Sequence, residues 1–314
     1  MRPIRFFSDT PHIPFMRYKK AGLALAGLML LVTFVSLVVQ GLNFGIDFRG
    51  GTLIEVRSTQ GPADIPAMRT TLGGLGLGEV ALQEFGADTD VLIRVQQQDG
   101  GEGAQQVAID AIRGALGDGV EYRRVEFVGP KVGQELVTYG SLAVVLAMLS
   151  IMLYVWFRFE WQFGVGALLT LLHDVLVVIG LFSVLQLEFS LSTLAAILTI
   201  AGYSINDTVV IYDRIRENLR KYKKLDLDIL CEQSLNETLS RTLLTSGTTL
   251  LALLALFAFG GPVIREFTGA LIFGIVIGTF SSIFISTPLL LNLNLRRPSD
   301  KPDAGDEAPA GIGG

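Results

Sequence analysis

The sequence predicts an α-helical polytopic membrane protein that carries one small α+β domain between its first and second membrane spans. Half of the 314 residues are hydrophobic, only 18% are charged, and the mean hydropathy is +0.50. The apolar residues form long unbroken runs, whereas a soluble domain is about a quarter charged and arranges them in periodic stripes. One polar stretch, residues 43–136, interrupts the runs. This composition excludes an ordinary soluble enzyme and a disordered chain.

Charge and rare residues exclude further classes of protein. The formal net charge of −5 excludes a nucleic-acid binder that works by general basicity, so no nucleic acid is expected as a partner. Cys231 is the single cysteine, so an internal disulfide is excluded. The two histidines and one cysteine argue against a structural zinc site. We therefore expect no metal and no cofactor.

Six apolar runs are long enough to cross about 30 Å of hydrocarbon as helices. The first run resembles a signal peptide, since Arg17, Lys19 and Lys20 precede it. It exceeds the usual apolar region, however, and no small-x-small cleavage site follows it, so we interpret it as a retained anchor. The fifth run is the shortest and the most polar. The predicted spans are 21–42, 137–157, 163–185, 190–212, 242–259 and 268–291.

Basic residues near the span ends predict the orientation. The first 20 residues hold five Lys and Arg, the segment 213–241 holds seven, and Arg158, Arg296 and Arg297 flank other spans. If successive spans cross the membrane in alternating directions, all these basic segments lie on one side, which is then cytoplasmic. The prediction is a cytoplasmic N-terminus (1–20), a cytoplasmic loop (213–241), a disordered cytoplasmic tail (292–314) and a domain on the outer side (43–136).

The polar stretch 43–136 has the length of a small domain and carries 14 acidic and 8 basic side chains. Its alternating apolar segments predict strands, and its i, i+3, i+4 apolar spacing predicts helices. The resulting order, β-α-β-β-α-β, is typical of a ferredoxin-like split βαβ sandwich. Its sequence shows no metal-ligand spacing, phosphate-binding glycine loop or Ser-His-Asp order, so we interpret it as a binding or docking module. The predicted elements are strands 52–57, 80–85, 91–95 and 120–128, helices 62–72 and 105–116, and a hairpin turn at 86–90.

Ionisable residues also occur at membrane depth, where a charge costs about 2.5–3.5 kcal/mol on insertion scales. His173 and Asp174 lie at the centre of the third span. Because adjacent residues diverge by about 100° on a helix, we expect the two side chains on different faces. They are either a packing pair that ties two spans together by hydrogen bonds or a functional pair, a secondary relay for protons.

Asn206 and Asp207 lie toward the cytoplasmic end of the fourth span, and Arg241 opens the fifth. Arg241 is the expected partner of Asp207. One interpretation is a static ion pair that holds the two spans together. The other is that Asp207 takes and loses a proton while Arg241 alternately pairs with it, so that the helices shift. The candidate proton-relay residues are Asp207, Arg241 and Asn206.

The cytoplasmic half of the fifth span is rich in hydroxyl groups. Small and hydroxylated residues allow helices to approach closely, which is one explanation. A wet path for protons along the same face is the other. The hydroxyl residues are Thr242, Thr245, Ser246, Thr248 and Thr249.

Five separated strings carry a family resemblance: NFGIDFRGGT (43–52), VGPKVGQEL (128–136), LHDVLVVIG (172–180), GYSINDTVVIYDRIREN (202–218) and RTLLTSGTT (241–249). Together they resemble the SecD/SecF family of protein-export membrane proteins, and within it the SecF type. This family is part of the resistance-nodulation-division (RND) superfamily of transporters. The strings cover both halves of the membrane region and the start of the outer domain.

The resemblance implies one half of an RND-type transporter, with SecD as the other half, in the bacterial inner membrane. It implies association with the SecYEG channel and YajC, an indirect link to SecA, and contact with unfolded secretory preproteins and membrane lipid. The pair would use the proton-motive force to draw preproteins across the membrane. The family's proton-passage residues fall on Asp207 and Arg241. The glycine-rich signature implies that Gly45, Asp47, Gly50 and Gly51 shape the chain where the first strand begins, with residues 43–136 as a periplasmic domain.

Two alternatives stay open beside a proton-coupled export subunit. One is a half-size RND-type exporter of small amphiphiles, although such exporters usually carry two six-span halves and larger inserts in one chain. The other is a membrane scaffold without ion coupling, in which Asp207 and Arg241 only brace two helices. An intramembrane enzyme is disfavoured because the sequence lacks a paired nucleophile and base, paired membrane aspartates and HExxH. We therefore expect no enzymatic activity.

Overall fold

The computed structural model of the chain describes residues 12–78, 80–98 and 100–293. Within these ranges six helices are long and apolar enough to cross a membrane. The predicted six-span membrane protein is therefore confirmed. Most of the predicted N-terminal segment 1–20 and nearly all of the predicted tail 292–314 lie outside the described residues. The six candidate spans are Phe15–Val39, Val132–Arg158, Trp161–Leu185, Leu191–Lys221, Leu227–Phe259 and Ile264–Asn292.

Helices and strands alternate in the first half of the chain, and long helices follow. A 3₁₀ turn at Phe15–Tyr18 leads into the first helix, another at Gly117–Gly119 precedes the last strand of the soluble domain, and a π-helix at Ser282–Ser286 interrupts the last span. The helices are α1 (Lys19–Val39), α2 (Ile46–Arg49), α3 (Ile65–Gly73), α4 (Gly101–Leu116), α5 (Pro130–Arg158), α6 (Trp161–Leu185), α7 (Leu191–Lys221), α8 (Leu227–Phe259), α9 (Gly261–Ser281) and α10 (Thr287–Asn292). The strands are β1 (Asn43–Phe44), β2 (Gly51–Ser58), β3 (Val80–Phe85), β4 (Ala87–Val95), β5 (Val120–Val128) and β6 (Glu188–Phe189).

The soluble domain is built on a four-stranded antiparallel sheet. Its elements run β2-α3-β3-β4-α4-β5, and the strands lie in the order β3-β4-β2-β5. This element order matches the predicted β-α-β-β-α-β. Helices α3 and α4 cover one face, where Ile54, Val56 and Ile93 of the sheet pack with Leu72 and Ile112 of the helices. Burial of these side chains stabilises the domain.

The hairpin between β3 and β4 differs from the prediction. The segment 86–90 is not a loop, because β4 already begins at Ala87 and the chain reverses at Gly86, which has φ 83°. Asp90, a poor strand former, accepts two hydrogen bonds from Arg57 on the neighbouring strand β2, at 2.6 and 2.7 Å. The ion pair with Arg57 therefore holds Asp90 in a strand, although aspartate favours turns.

The membrane helices form a bundle with α6, α7 and the last span at its centre. These three are the most enclosed, whereas α1, α5 and α8 are peripheral. One apolar cluster joins the central helices toward the soluble domain, with Val178, Ile197 and Ile275 among its members. A second cluster lies toward the other end and includes Phe163 and Tyr212. The site-bearing helices are therefore held on several sides by packing.

Most of the segment 213–241, predicted as the connection between the fourth and fifth spans, is helical. Helix α7 continues to Lys221 and α8 begins at Leu227, so that only residues 222–226 connect them. Apolar residues continue at helical spacing beyond the hydrophobic runs and pack between the two helices. The hydropathy pattern ends where the charged residues begin, although the helices do not. The buried apolar residues of this extension are Ile215, Leu219, Leu230, Leu235 and Leu239.

Candidate functional site

Asp207 lies in the enclosed interior of the bundle on α7, and its side chain is almost fully buried. The Oγ atom of Ser246 on α8 lies 3.5 Å from Asp207 Oδ2 and can donate a hydrogen bond to it. The same Ser246 hydroxyl shares a 2.9 Å hydrogen bond with Thr279 on α9. A carboxyl group and two hydroxyl groups therefore meet where α7, α8 and α9 converge.

Arg241 does not reach Asp207 in this structure. Its side chain is exposed, and among the described residues it forms no ion pair within 4.0 Å of any carboxylate. Ser246 faces Asp207, and Arg241 lies five residues before Ser246 on α8. Because each residue turns the helix by 100°, the Arg241 side chain lies about 140° away from Ser246 around the helix. The static ion pair, the simpler of the two interpretations, is therefore not present in this conformation.

Asn206 is also separated from Asp207, although the two are adjacent in sequence. Its side chain is exposed at the surface of the bundle, about 100° around α7 from the buried carboxylate. Gly202, one turn earlier, is exposed on the same side. The structure thus places two predicted relay residues, Asn206 and Arg241, on the outer face, and one, Asp207, inside.

A second buried carboxylate, Asp174 on α6, holds three helices together. Its Oδ2 accepts hydrogen bonds from Ser204 on α7 at 2.5 Å and from Ser281 on α9 at 2.7 Å. Its Oδ1 lies 2.9 Å from Nδ1 of the adjacent His173. The expectation that His173 and Asp174 point to different faces is wrong, because the histidine ring reaches back across the 100° offset to the carboxylate. His173 Nε2 is buried and has no hydrogen-bond partner among the described residues.

The two buried acids belong to one polar layer across the bundle. Ser204 and Asp207 are three residues apart and therefore lie on the same face of α7. Ser204 contacts Asp174, while Asp207 contacts Ser246. On α9, Thr279 bonds to Ser246 and the residue two positions later, Ser281, bonds to Asp174. Carboxyl groups that can change charge are thus separated by hydroxyl groups that can donate and accept protons.

Sequence reasoning missed three residues of this layer: Ser204, Thr279 and Ser281. Each is a small hydroxyl residue in an apolar helix, a type that also occurs wherever helices pack closely. The common acceptor of Ser204 and Ser281 is visible only after folding, because Asp174 and Ser281 are 107 positions apart. The spacing of Ser204 three residues before Asp207 was the one available signal.

The glycine-rich segment before β2 joins the soluble domain to the bundle. The Gly45 N–H donates a 2.9 Å hydrogen bond to the Phe189 carbonyl, and β1 pairs with β6 in parallel. Asp47 Oδ2 accepts a 2.9 Å hydrogen bond from the backbone N–H of Leu191, at the start of α7. A carboxylate at this position also complements the positive end of the helix dipole. Asp47 therefore fixes the first turn of the helix that carries Asp207.

Gly50 and Gly51 lie where side chains are strained, with φ 73° and 122°. A Cβ atom on Gly51 would lie 2.5 Å from the Val95 carbonyl oxygen, and one on Gly45 would lie 2.5 Å from Glu188 Oε1. Neither distance is compatible with normal contacts. The glycines thus allow β2 to start against β4 and against the bundle.

Comparisons with known proteins agree with this architecture. Residues 109–296 match the family model described as "Protein export membrane protein SecD/SecF, C-terminal", and residues 35–62 match "SecD/SecF GG Motif". The chain is 49% identical over 292 residues to the protein translocase subunit SecF of Rickettsia rickettsii (strain Sheila Smith), which covers 92% of this chain and 94% of that protein. It is 48% identical over 303 residues to the subunit of the same name from Rickettsia akari (strain Hartford), covering 95% and 97%.

Solved structures show the same fold. The crystal structure of SecDF from Thermus thermophilus, described as a translocon-associated membrane protein, superposes with a TM-score of 0.84 at 36% sequence identity and covers 94% of this chain. A SecDF structure in a super-membrane-facing form gives a TM-score of 0.68 at the same identity over 95% of this chain. The chain spans 40% and 41% of those two SecDF chains. Family models, relatives and fold agree, and the chain belongs to the SecD/SecF family of protein-export membrane proteins.

Proposed function

We propose that the chain is an auxiliary subunit of the Sec protein translocase, which together with SecD uses the proton-motive force to promote translocation and release of preproteins. The names of the relatives support the translocase assignment. The observation that carries the proton coupling is the buried Asp207, whose carboxylate contacts the Ser246 hydroxyl rather than a cation. A carboxyl group in such surroundings is a site where a proton can be held and released.

Proton binding at Asp207 would change the contacts of three helices. The ionised carboxylate accepts hydrogen bonds and attracts Arg241, whereas the protonated group is neutral and can donate. A rotation of α8 that brings Arg241 toward Asp207 would move Ser246 away, because the two lie on different sides of that helix. One proton crossing 100 mV supplies about 2.3 kcal/mol, which is enough to bias two such arrangements. Asn206, and secondarily His173 with Asp174, are the further relay residues of this proposal.

The exposed face beside Asp207 supports the proposal that a partner protein supplies the other half of the transporter. Exposed residues at one side of α7 and α8 include an amide, a guanidinium and hydroxyl groups, which are costly against lipid. SecD, the partner expected for a half-transporter, would cover this face and bring its own helices to Asn206 and Arg241. The exposed residues of the face are Thr199, Gly202, Asn206, Arg241 and Thr248.

The proposed location is the bacterial inner membrane, with both termini cytoplasmic and the soluble domain periplasmic. The basic residues at the α7–α8 end of the bundle support this orientation through the positive-inside rule. In this arrangement the sheet of the soluble domain, a ferredoxin-like sandwich, faces the side on which preproteins emerge. SecYEG, YajC and, indirectly, SecA are the remaining partners. Unfolded preproteins are the substrate, and no chemical step is assigned to this chain.

The proposal is tested with the chain reconstituted together with SecD, SecYEG and SecA in vesicles. Asp207→Asn keeps the shape and removes the proton site, so proton-driven translocation and proton flux are expected to fall at least about tenfold, or 1.4 kcal/mol. The matched control is Asp213→Asn, since Asp213 is an exposed carboxylate on the same helix. Undiminished translocation in Asp207→Asn would favour the scaffold. Efflux of small amphiphiles by vesicles without SecYEG would favour the exporter.

A further inference from the structure

Arg94 on β4 connects the soluble domain directly to the membrane bundle. Its guanidinium forms an ion pair with Glu188, in the short segment between α6 and α7, and its Nη1 donates a 3.2 Å hydrogen bond to Asn43 Oδ1. We propose that Arg94 is a positioning residue that transmits movements of α7 and α9 to the soluble domain. The inference rests on the proposed function, because it assumes that proton binding moves these helices.

The contact between Arg94 and Glu188 is enclosed rather than superficial. The two side chains are only 15% and 13% exposed. Gly45 leaves room for the carboxylate, since a Cβ atom there would lie 2.5 Å from Glu188 Oε1. Enclosed charges interact more strongly than solvated ones, and loss of one partner leaves the other uncompensated. The pair therefore ties the orientation of β4 to the position of Glu188.

Glu188 moves with α7 because little chain separates them. Glu188 lies three residues before Leu191, the first residue of α7, and its carbonyl accepts a 3.2 Å hydrogen bond from Thr193 in the first turn. Asp207 is on the same helix. A shift or tilt of α7 caused by proton binding at Asp207 would thus displace Glu188 and the arginine bound to it.

A second acid lies near this ion pair on another helix. Glu266, near the start of α9, lies within electrostatic range of both Glu188 and Arg94. It accepts no hydrogen bond from any of the described residues, and the Nε–H of Arg94 is buried without a partner. One donor group and one acceptor group are therefore available for a contact that this conformation does not make. A small displacement of α9 relative to α7 would let Arg94 turn from Glu188 toward Glu266.

Space for such a displacement exists between the sheet and the helix ends. A cavity of about 310 Å³ lies there, lined by Leu53, Leu92 and Arg124 of the sheet, Glu188 just before α7, Ser192 in the first turn of α7, and Glu266 of α9. The two helices at this cavity both contribute to the polar layer, with Asp207 on α7 and both Thr279 and Ser281 on α9. The geometry thus links the interior site to the outer domain through two acids and one arginine.

The test is Arg94→Gln in the chain reconstituted with SecD, SecYEG and SecA, with Arg57→Gln as the matched control. Arg57 pairs with Asp90 within the soluble domain and does not contact the bundle. For Arg94→Gln we expect proton flux within about twofold of the native chain but proton-driven translocation about 3- to 30-fold lower, the size of a coupling contribution. Arg57→Gln is expected to keep the proton flux and the proton-driven translocation of the native chain.

Two further variants separate coupling from simple loss of structure. The exchange Arg94→Glu with Glu188→Arg restores an ion pair and is expected to recover at least part of translocation. Glu266→Gln removes the second negative charge and is expected to lower translocation while flux persists. Unchanged translocation in Arg94→Gln, or loss of flux together with translocation, would overturn the inference. Failure of the proposed function gives a different result, because Asp207→Asn would then leave flux and translocation unchanged.

Discussion

Ser281, at the end of α9, donates a 2.7 Å hydrogen bond to the carboxylate of Asp174 in the middle of α6. The same Oδ2 atom accepts a 2.5 Å hydrogen bond from Ser204 of α7. One buried side chain therefore fixes the mutual position of the three central helices. Because both hydroxyls are buried, the carboxylate is important for the stability of the bundle as well as for the chemistry of the layer.

Replacement of Asp174 by Ala is expected to destabilise the bundle. The change leaves the hydroxyls of Ser204 and Ser281 without their acceptor, at about 1–3 kcal/mol for each buried group that finds no other partner. The measurement is thermal unfolding of the purified chain in detergent. Asp174→Asn, which keeps one acceptor oxygen, should lose less stability than Asp174→Ala. An Ala variant whose unfolding temperature equals that of the native chain would show that Asp174 does not hold the helices together.

Replacement of Ser246 by Ala is expected to reduce proton flux without loss of the fold. The hydroxyl is the one described group that contacts both Asp207 and Thr279. Loss of one hydrogen bond of 0.5–1.5 kcal/mol predicts a decrease of about 2- to 10-fold. Flux is measured in vesicles that also contain SecD. Thr238→Ala is the control, because among the described residues the Thr238 hydroxyl bonds only to carbonyls of its own helix, Ser234 at 3.0 Å and Leu235 at 3.2 Å.

Replacement of Gly51 by Ala is expected to loosen the start of β2. Its φ of 122° is unfavourable for other residues, and the new Cβ would lie 2.5 Å from the Val95 carbonyl oxygen. The backbone strain alone is about 1–3 kcal/mol. Hydrogen exchange of the β2 and β4 amides should be faster. Gly73→Ala, at the end of α3 with no atom within 4 Å of its Cβ position, should leave the exchange unchanged. Equal protection in both variants would contradict this account.

The ion pair of Arg57 and Asp90 predicts a dependence of domain stability on pH. Hydrogen bonds from the Arg57 guanidinium lower the pKa of Asp90. A lowered folded-state pKa means that the stabilisation is complete above the unfolded-state pKa, about 3.9, and disappears as the pH falls through the folded-state value. Hydrogen exchange of β2 and β4 in the full chain should therefore increase below about pH 4. Asp90→Asn should remove this part of the pH dependence. An identical pH profile in both would refute the assignment.

The fold was largely predictable because its two signals are strong. Runs of apolar residues define the spans, and alternation defines the strands, so β5 was predicted as 120–128 and observed as Val120–Val128. The helical extensions of α7 and α8 could not be predicted from hydropathy. Their stability depends on packing between residues such as Leu219 and Leu235, which are polar-flanked in sequence and adjacent only in the folded hairpin.

The site was only partly predictable for a related reason. Asp207 is conspicuous because a carboxylate in an apolar helix is costly. Its contacts depend on the rotation of neighbouring helices, which sequence does not specify. Arg241 was therefore expected at Asp207, whereas Ser246 lies there. The ion pair of Arg94 and Glu188 joins residues 94 positions apart and has no local pattern that would indicate it.

The hairpin of α7 and α8 has a mechanical consequence. The helices contain 31 and 33 residues and so extend about 46 and 50 Å, well beyond about 30 Å of hydrocarbon. Arg214 and Glu237, with a 2.6 Å contact, fasten the protruding parts to each other. Two long helices joined in this way move together. A tilt of α7 near the buried Asp207 therefore displaces the end of the hairpin, residues 222–226, by a larger distance. A spectroscopic label on Tyr222 would therefore report that tilt from the aqueous side while leaving the buried groups untouched.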